Sequence, residues 1–258
     1  MTGQSEPRRL RLLSYNIQSG LTTRKYSQYL TRSWKHLVPV PSRMVNLDGI
    51  ARILADYDIV GLQEVDAGSL RSGFVNQVKY LADNAGFKYV FDQANRKIGM
   101  ISQHGNAMLS RFQPAAITEH KLPGLIPGRG VLEVRFGAGP DALHVLILHM
   151  ALGRRGRLRQ IEFLAELVRD YRHVILMGDL NCGSDSPEMT TLLAAARLRE
   201  PGPWTEYLSQ LAAGPATGSH FGIDVDHGRA GRGAELRLFG SFADRDGCAV
   251  AQGFAAEG

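Results

Sequence analysis

Cysteine is scarce in this chain: Cys182 and Cys248 are the only two among 258 residues. Two thiols so far apart build neither a disulfide framework nor a thiolate metal cluster, and they fit a reducing compartment. Long apolar runs are missing as well. No stretch approaches the roughly 20 residues that a membrane-spanning helix needs, and the polar opening from Met1 to Arg9 holds no signal-peptide core. The expectation is a cytoplasmic protein without a transmembrane segment, with peripheral contact at a membrane left open. Internal repeats, a linker, a glycine fingerprint for nucleotides and a basic stripe rich in aromatics are also lacking. A solenoid, a dinucleotide-binding domain and a simple nucleic-acid-binding module therefore lose their usual sequence support.

What is present suits one large α/β domain. The length allows a substantial core, and a hydrophobic content of 44% is that of an ordinary globular protein. A net charge of +5 leans toward anionic partners such as nucleic acid, phospholipid headgroups or phosphate esters. Short runs rich in Leu, Ile and Val at residues 10–15, 58–62, 142–148 and 173–177 read as strands. Their near-continuous apolar character implies a sheet covered on both faces. Between them, residues 157–170 place Leu158, Ile161, Leu164, Leu167 and Val168 on one helical face, and residues 45–55 repeat the stripe through Leu47, Ile50 and Leu54. Ser186 ahead of Pro187 and Glu188 opens a further helix that runs to Leu198. After about residue 200 the composition shifts to Gly and Ala, and only residues 234–243 read as a strand. A domain over 1–199 followed by an atypical, poorly ordered segment over 200–258 is the expectation. Nothing in the pattern fixes an oligomeric state.

Polar clusters stand where the apolar runs end. Asn16 and Glu64 each follow a strand, and a hard divalent cation takes oxygen ligands of this kind together with waters and substrate phosphate. The plainer alternative is a turn-forming Asn and a surface Glu. Gly178-Asp179-Leu180-Asn181 follows the most apolar strand, and alternation sends Asp179 and Asn181 to one side, where a carboxylate and an amide can meet one ligand. A plain turn favours the same residue types. His149 ends a strand and precedes Arg154, Arg155 and Arg157, guanidinium groups suited to a phosphodiester, although a core His and a solvated helix start explain them equally. Asn106 follows a glycine turn. Ser69, Arg71 and Gln77 lie soon after Glu64 and either line the same cleft or cap the next helix.

Taken together and in this order, these pieces resemble the endonuclease/exonuclease/phosphatase superfamily of Mg²⁺-dependent phosphoesterases. The matching stretches are LRLLSYNIQSG, DIVGLQEVD, HGNAMLSRF, LHVLILHMALG and VILMGDLNC. Around RSGFVNQVKYLA and GRRGRLRQ the text is most similar to bacterial metal-dependent hydrolases. The resemblance implies a four-layer α/β/β/α sandwich of two packed mixed sheets, DNase I-like, with the site at one end. It implies Asn16 and Glu64 as metal-binding residues for Mg²⁺, with Mn²⁺ as a substitute. Asp179 then orients the attacking water, Asn181 contacts phosphate, His149 stabilises the transferring phosphoryl group, and Asn106 is a supporting amide. Arg71, Arg154 and Arg155 are candidate substrate contacts. The implied reaction is hydrolysis of a phosphoester, in nucleic acid, a phospholipid headgroup or a small molecule, by activated water. Specificity is expected in the 22–40 and 123–130 stretches.

The family pattern also closes with an Ile/Leu-Asp-aromatic/His strand and then Ser-Asp-His. Here the nearest candidates are Ile223-Asp224-Val225-Asp226-His227 and Ala243-Asp244-Arg245. An arginine cannot lose a proton at working pH and cannot replace the closing histidine as a base. The alternative reading is accordingly a catalytically impaired member that keeps the fold and binds anions. One account of the break is a C-terminal segment outside the family's reading frame, since permitted codons for residues 207–215 read Thr-Tyr-Pro-Ser-Trp-Arg-Pro-Ala-Arg in the adjacent frame. Without its usual last strands, the second sheet is expected to expose an edge.

Overall fold

The computed structural model describes residues 10–17, 42–66, 68, 75–98, 102–124, 129–183, 185–198, 220–226, 235–241 and 252–253. The elements run β1 (Leu12–Asn16), α1 (Ser42–Leu54), β2 (Ile59–Asp66), α2 (Gln77–Ala85), β3 (Tyr89–Ile98), β4 (Ser102–Ser110), β5 (Ala116–Lys121) and β6 (Gly130–Phe136). They continue with β7 (Leu143–His149), α3 (Arg154–Val168), β8 (His173–Asp179), α4 (Pro187–Ala195), β9 (His220–Asp226), β10 (Glu235–Ser241) and β11 (Gln252–Gly253). Local chemistry sets several boundaries. Asn76 caps α2 by accepting from Lys79 N, and Gly86 ends that helix at φ +74°. Ser186 caps α4 by accepting from Met189 N, with Pro187 in the first turn.

Two mixed sheets result. The first has the order β1-β2-β4-β3, with β1 and β2 parallel. The second has the order β11-β8-β7-β6-β5, with β7 and β8 parallel. Three apolar layers lie between and outside them. Leu13, Val60, Leu62 and Leu109 pack under α1 and α2. Leu12, Ile59, Met108, Val145, Ile147, Ile175 and Met177 fill the gap between the sheets. Leu146, Leu148, Val174 and Leu176 meet Ile161 and Leu164 of α3 and Leu192 of α4. Successive strand residues serve opposite layers, which explains the unbroken apolar runs and establishes the expected α/β/β/α order. Gly61 sets the approach of the sheets: a Cβ there would lie 2.9 Å from Ile147 Cδ1.

Beyond residue 200 the described residues form β9, β10 and β11, where the sequence pattern points to one strand. The anticipated strand forms as β10, but it pairs antiparallel with β9, and β9 runs beside β1. Phe221, Ile223 and Val225 alternate with polar residues in β9, a period-two signal diluted by the glycine-rich flanks. The outer edge of β8 is only partly open. β11 covers it at Leu176 and Ile175, two of the seven positions of that strand among the described residues.

Candidate active site

The inter-sheet face turns polar at one end of the sandwich. Following that face, β1 reads Leu12, Ser14, Asn16 and β2 reads Ile59, Gly61, Gln63. On β4, β7 and β8 the same side passes from Met108 to Asn106, from Ile147 to His149 and from Met177 to Asp179. The apolar half of each strand builds the core, and the next one or two inward positions build the site. At its base Gln63 Nε2 donates to Ser14 Oγ at 3.2 Å, stitching β1 to β2.

His149 and Asp179 are register partners on the parallel strands β7 and β8. Gly178 makes this possible. Its φ is +146°, and a Cβ would sit 1.9 Å from Leu148 O. His149 Nε2 lies 3.5 Å from Asp179 Oδ2 and 4.0 Å from Glu64 Oε1. Asp179 is 8% exposed. Its Oδ1 accepts from Asn181 N at 2.9 Å, and its Oδ2 accepts from Asn16 Nδ2 at 3.1 Å. Burial pushes the Asp179 carboxyl up, against the opposing pull of the Asn181 N–H, the Asn16 amide and the positive charge of Arg129.

Glu64 reaches the site through a bulge. The β2–β4 register shifts between Leu62 and Val65, and Glu64 takes φ +56°. A non-glycine residue in that conformation is strained, and such strain concentrates at functional positions. The donor set of Glu64, Asp179 and the Asn16 side-chain oxygen is all-oxygen, which matches what Mg²⁺ takes from a protein that leaves room for waters and phosphate. The donor types fit the group, with Glu64 and Asn16 as the residues that would hold it, while no group of three His, Cys, Asp or Glu among the described residues is placed to hold a metal by itself.

The remaining candidates separate. Asn106, 1% exposed, donates Nδ2 to Gly130 O at 3.0 Å and to Ile147 O at 3.4 Å, while Oδ1 is buried without a hydrogen bond. Asn181 stands at φ +51°, beyond the end of β8, so turn geometry rather than strand alternation places it beside Asp179. Its Nδ2 donates to Met150 O at 2.9 Å, leaving the second amide hydrogen for a ligand. Arg154 and Arg155 are exposed at the start of α3. Arg157 is instead committed to the fold, with Nη2 2.7 Å from Glu188 Oε1. Gln77 is fully buried and accepts from Asp66 N at 2.9 Å, so it holds the chain after Glu64 rather than lining a cleft. Ser69, Arg71, His227, Asp244 and Arg245 lie outside the described residues. Arg129, whose charge acts on Asp179, falls in the 123–130 stretch where specificity is expected but is not singled out by the sequence; Gln93, which faces Asn106 across β3–β4 and donates to Val131 O at 3.2 Å, is missed altogether. The signal for Gln93 was its place within a partly apolar run.

Two packed mixed sheets flanked by helices, with polar side chains converging where the strands end, define a DNase I-like α/β sandwich. The chain belongs to the Endonuclease/Exonuclease/phosphatase family, which it matches over residues 13–234. Solved structures share the architecture. An endonuclease/exonuclease/phosphatase family protein from Bacteroides thetaiotaomicron has a TM-score of 0.57 at 15% identity, covering 98% of this chain and 100% of that one. Beta toxin from Staphylococcus aureus, in a double mutant with bound magnesium ions, has 0.54 at 15%, covering 96% and 100%. Sphingomyelinase C from Streptomyces griseocarneus has 0.50 at 15%, covering 95% and 99%. At such identities the likeness is one of fold. No curated protein sequence matches the chain.

Proposed function

We propose that this protein hydrolyses a phosphodiester or phosphomonoester by in-line attack of water, with Mg²⁺ or Mn²⁺ as cofactor. One observation carries the reading: His149 and Asp179 of the second sheet meet Glu64 and Asn16 of the first at one end of the sandwich. Family membership and the magnesium of the beta toxin relative support it. Nucleic acid, a phospholipid headgroup and a small phosphoester are the substrate classes, the second favoured by the sphingomyelinase among the structural relatives.

Glu64 and Asn16 would hold the metal, which when bound would supply charge neutralisation at the phosphoryl oxygens. Asp179 orients the attacking water and takes its proton at a carboxylate oxygen as the new P–O bond forms and the bond to the leaving oxygen breaks. Its buried setting raises its affinity for that proton. His149 donates from Nε2 to a phosphoryl oxygen, and the second amide hydrogen of Asn181 adds another contact. Arg129, Arg154 and Arg155 attract the anionic substrate, and Arg71 is proposed with them.

Release of nitrophenol from bis(p-nitrophenyl) phosphate with Mg²⁺, in wild type and Asp179→Ala, tests the reading. The variant should lose about three orders of magnitude; equal rates would sink the enzyme. A screen of nucleic acid, phospholipid and small phosphoesters then sorts the substrate class.

The second reading is a catalytically impaired member that keeps the fold and anion binding. It is favoured by the missing Ser-Asp-His, with Arg245 where the histidine would stand. Asp224 and Asp226 lie on β9, beside the strand that carries Asn16. The division into 1–199 and an out-of-frame 200–258 belongs to this reading. Resequencing the gene decides it: a segment in which no single-base change restores the family ending ends the idea.

A further inference from the structure

α3 turns two polar side chains, Gln160 and Arg157, toward the loop that follows His149, and the chemistry above uses neither. Gln160 is 1% exposed and spans two chain segments. Its Oε1 accepts from Ala151 N at 2.8 Å, and its Nε2 donates to Pro123 O at 3.1 Å. Arg157 donates from Nη1 to Ala151 O at 3.4 Å and also to Leu152 O. The Arg157 guanidinium is held in turn by Glu188 of α4, whose carboxyl the Arg157 hydrogen bond keeps below the usual range. Gly156 lets the helix close on the loop, since a Cβ there would lie 2.9 Å from Ala151 Cβ. Met150 completes the set, with its N–H on Asp179 O at 2.8 Å and its carbonyl receiving Asn181 Nδ2. The three residues after His149 are thus fixed group by group.

Placing Gln160, Arg157 and Glu188 where α3 meets α4 and the loop after β7 is not what stability alone selects. Apolar residues of similar volume do as well or better there, and Arg157 Nε is left buried without an acceptor. What the polar set adds is position. Pro123 adjoins the point where Leu122 N donates to Arg129 O at 3.1 Å, so Gln160 ties the His149 loop to the base of the segment that delivers Arg129. Only a side chain with a donor at one end and an acceptor at the other can hold both carbonyl and amide at that spacing.

We propose that Gln160 is a positioning residue of the hydrolytic site, setting the separation between His149 and Arg129 without touching substrate. The inference rests on the phosphoester-hydrolase reading. Its signature is a loss in turnover larger than the loss in substrate affinity, because a displaced His149 loses its contact with charge that develops during the reaction, whereas Arg129 attracts the anion before and during it. The test compares wild type, Gln160→Met and Gln160→Glu in Mg²⁺-dependent hydrolysis of bis(p-nitrophenyl) phosphate, with hydrogen exchange at the Ala151 amide. Gln160→Met removes both bonds at constant length. Gln160→Glu keeps the acceptor for Ala151 and loses the donor to Pro123, and it carries the test if the Met variant does not fold. The expected result is kcat lower by roughly tenfold to a hundredfold with KM within about threefold, and a faster-exchanging Ala151 amide in the Met variant. Folded variants that keep the wild-type kcat overturn this inference alone. A wild type with no turnover overturns the hydrolase reading, and the inference falls with it.

Discussion

Asn16 donates its side-chain amide to Asp179 Oδ2 at 3.1 Å, joining residues 163 positions apart and from different sheets. That bond directly links the end of β1 to the buried carboxylate of β8, the two positions proposed above to bind metal and to orient water. Replacing Asn16 with the isosteric Leu leaves a buried carboxylate with one donor fewer. The expected loss is about 1–3 kcal/mol of stability, read from urea unfolding. Unchanged stability would show that the bond contributes nothing net.

Glu64→Gln keeps the shape of the bulge and removes its charge. Mg²⁺ and Mn²⁺ affinity should fall by at least about tenfold in calorimetric titration, with stability changed by less than about 1 kcal/mol. Equal metal affinity in the two proteins would remove Glu64 from the metal site.

Gly178→Ala places a methyl group against the Leu148 carbonyl, at a φ that other residues rarely adopt. A loss of about 3 kcal/mol or more is expected, or failure to fold. Thermal unfolding measures it, and a melting temperature within a degree or two of wild type would contradict the close approach of β7 and β8.

Glu133 supplies a pH prediction remote from the site. It lies buried on β6, with His120 Nε2 2.6 Å from one carboxylate oxygen and His144 Nδ1 2.7 Å from the other. Burial pushes its carboxyl up, but hydrogen bonds from His144, His120 and Tyr171 outweigh that and hold it below the usual range. A lowered folded pKa contributes stability that is fully present above the unfolded value, about 4.3, and is lost as pH falls through the folded value. Wild type should therefore lose stability relative to Glu133→Gln as pH drops below that point. Parallel urea-unfolding curves against pH would refute the linkage.

Arg129→Met removes the charge that acts on Asp179. Catalytic efficiency toward an anionic phosphodiester should drop by roughly tenfold or more. A steady-state comparison at fixed ionic strength checks this, and an unchanged kcat/KM would return Arg129 to a structural role.

The sequence was most legible where strands are buried on both faces. β1, β2, β7 and β8 announce themselves as apolar runs, and the polar residues that end them, Asn16, Glu64, His149 and Asp179, meet in space. Edge strands hid. β5 exposes most of its residues, so AITEHK carries no apolar pattern, and β3 turns polar after Phe91. β6 was obscured by Glu133, whose buried charge makes sense only once His120 and His144 arrive from neighbouring strands. The bulge at Glu64 and the role of Gln160 were equally hidden, since each depends on partners that local sequence does not reveal. A buried glutamine in a helix reads as part of a solvated face until the segment it binds is in place.

The division of the centre between two sheets has a consequence for synthesis. Asn16, Glu64 and Asn106 leave the ribosome well before His149 and Asp179, and the first sheet can pair its own four strands without them. A nascent chain therefore cannot bring Asn16, Glu64, His149 and Asp179 together until β8 has emerged and the two halves have docked. If the proposed hydrolysis holds, it is withheld until folding of the sandwich is essentially finished.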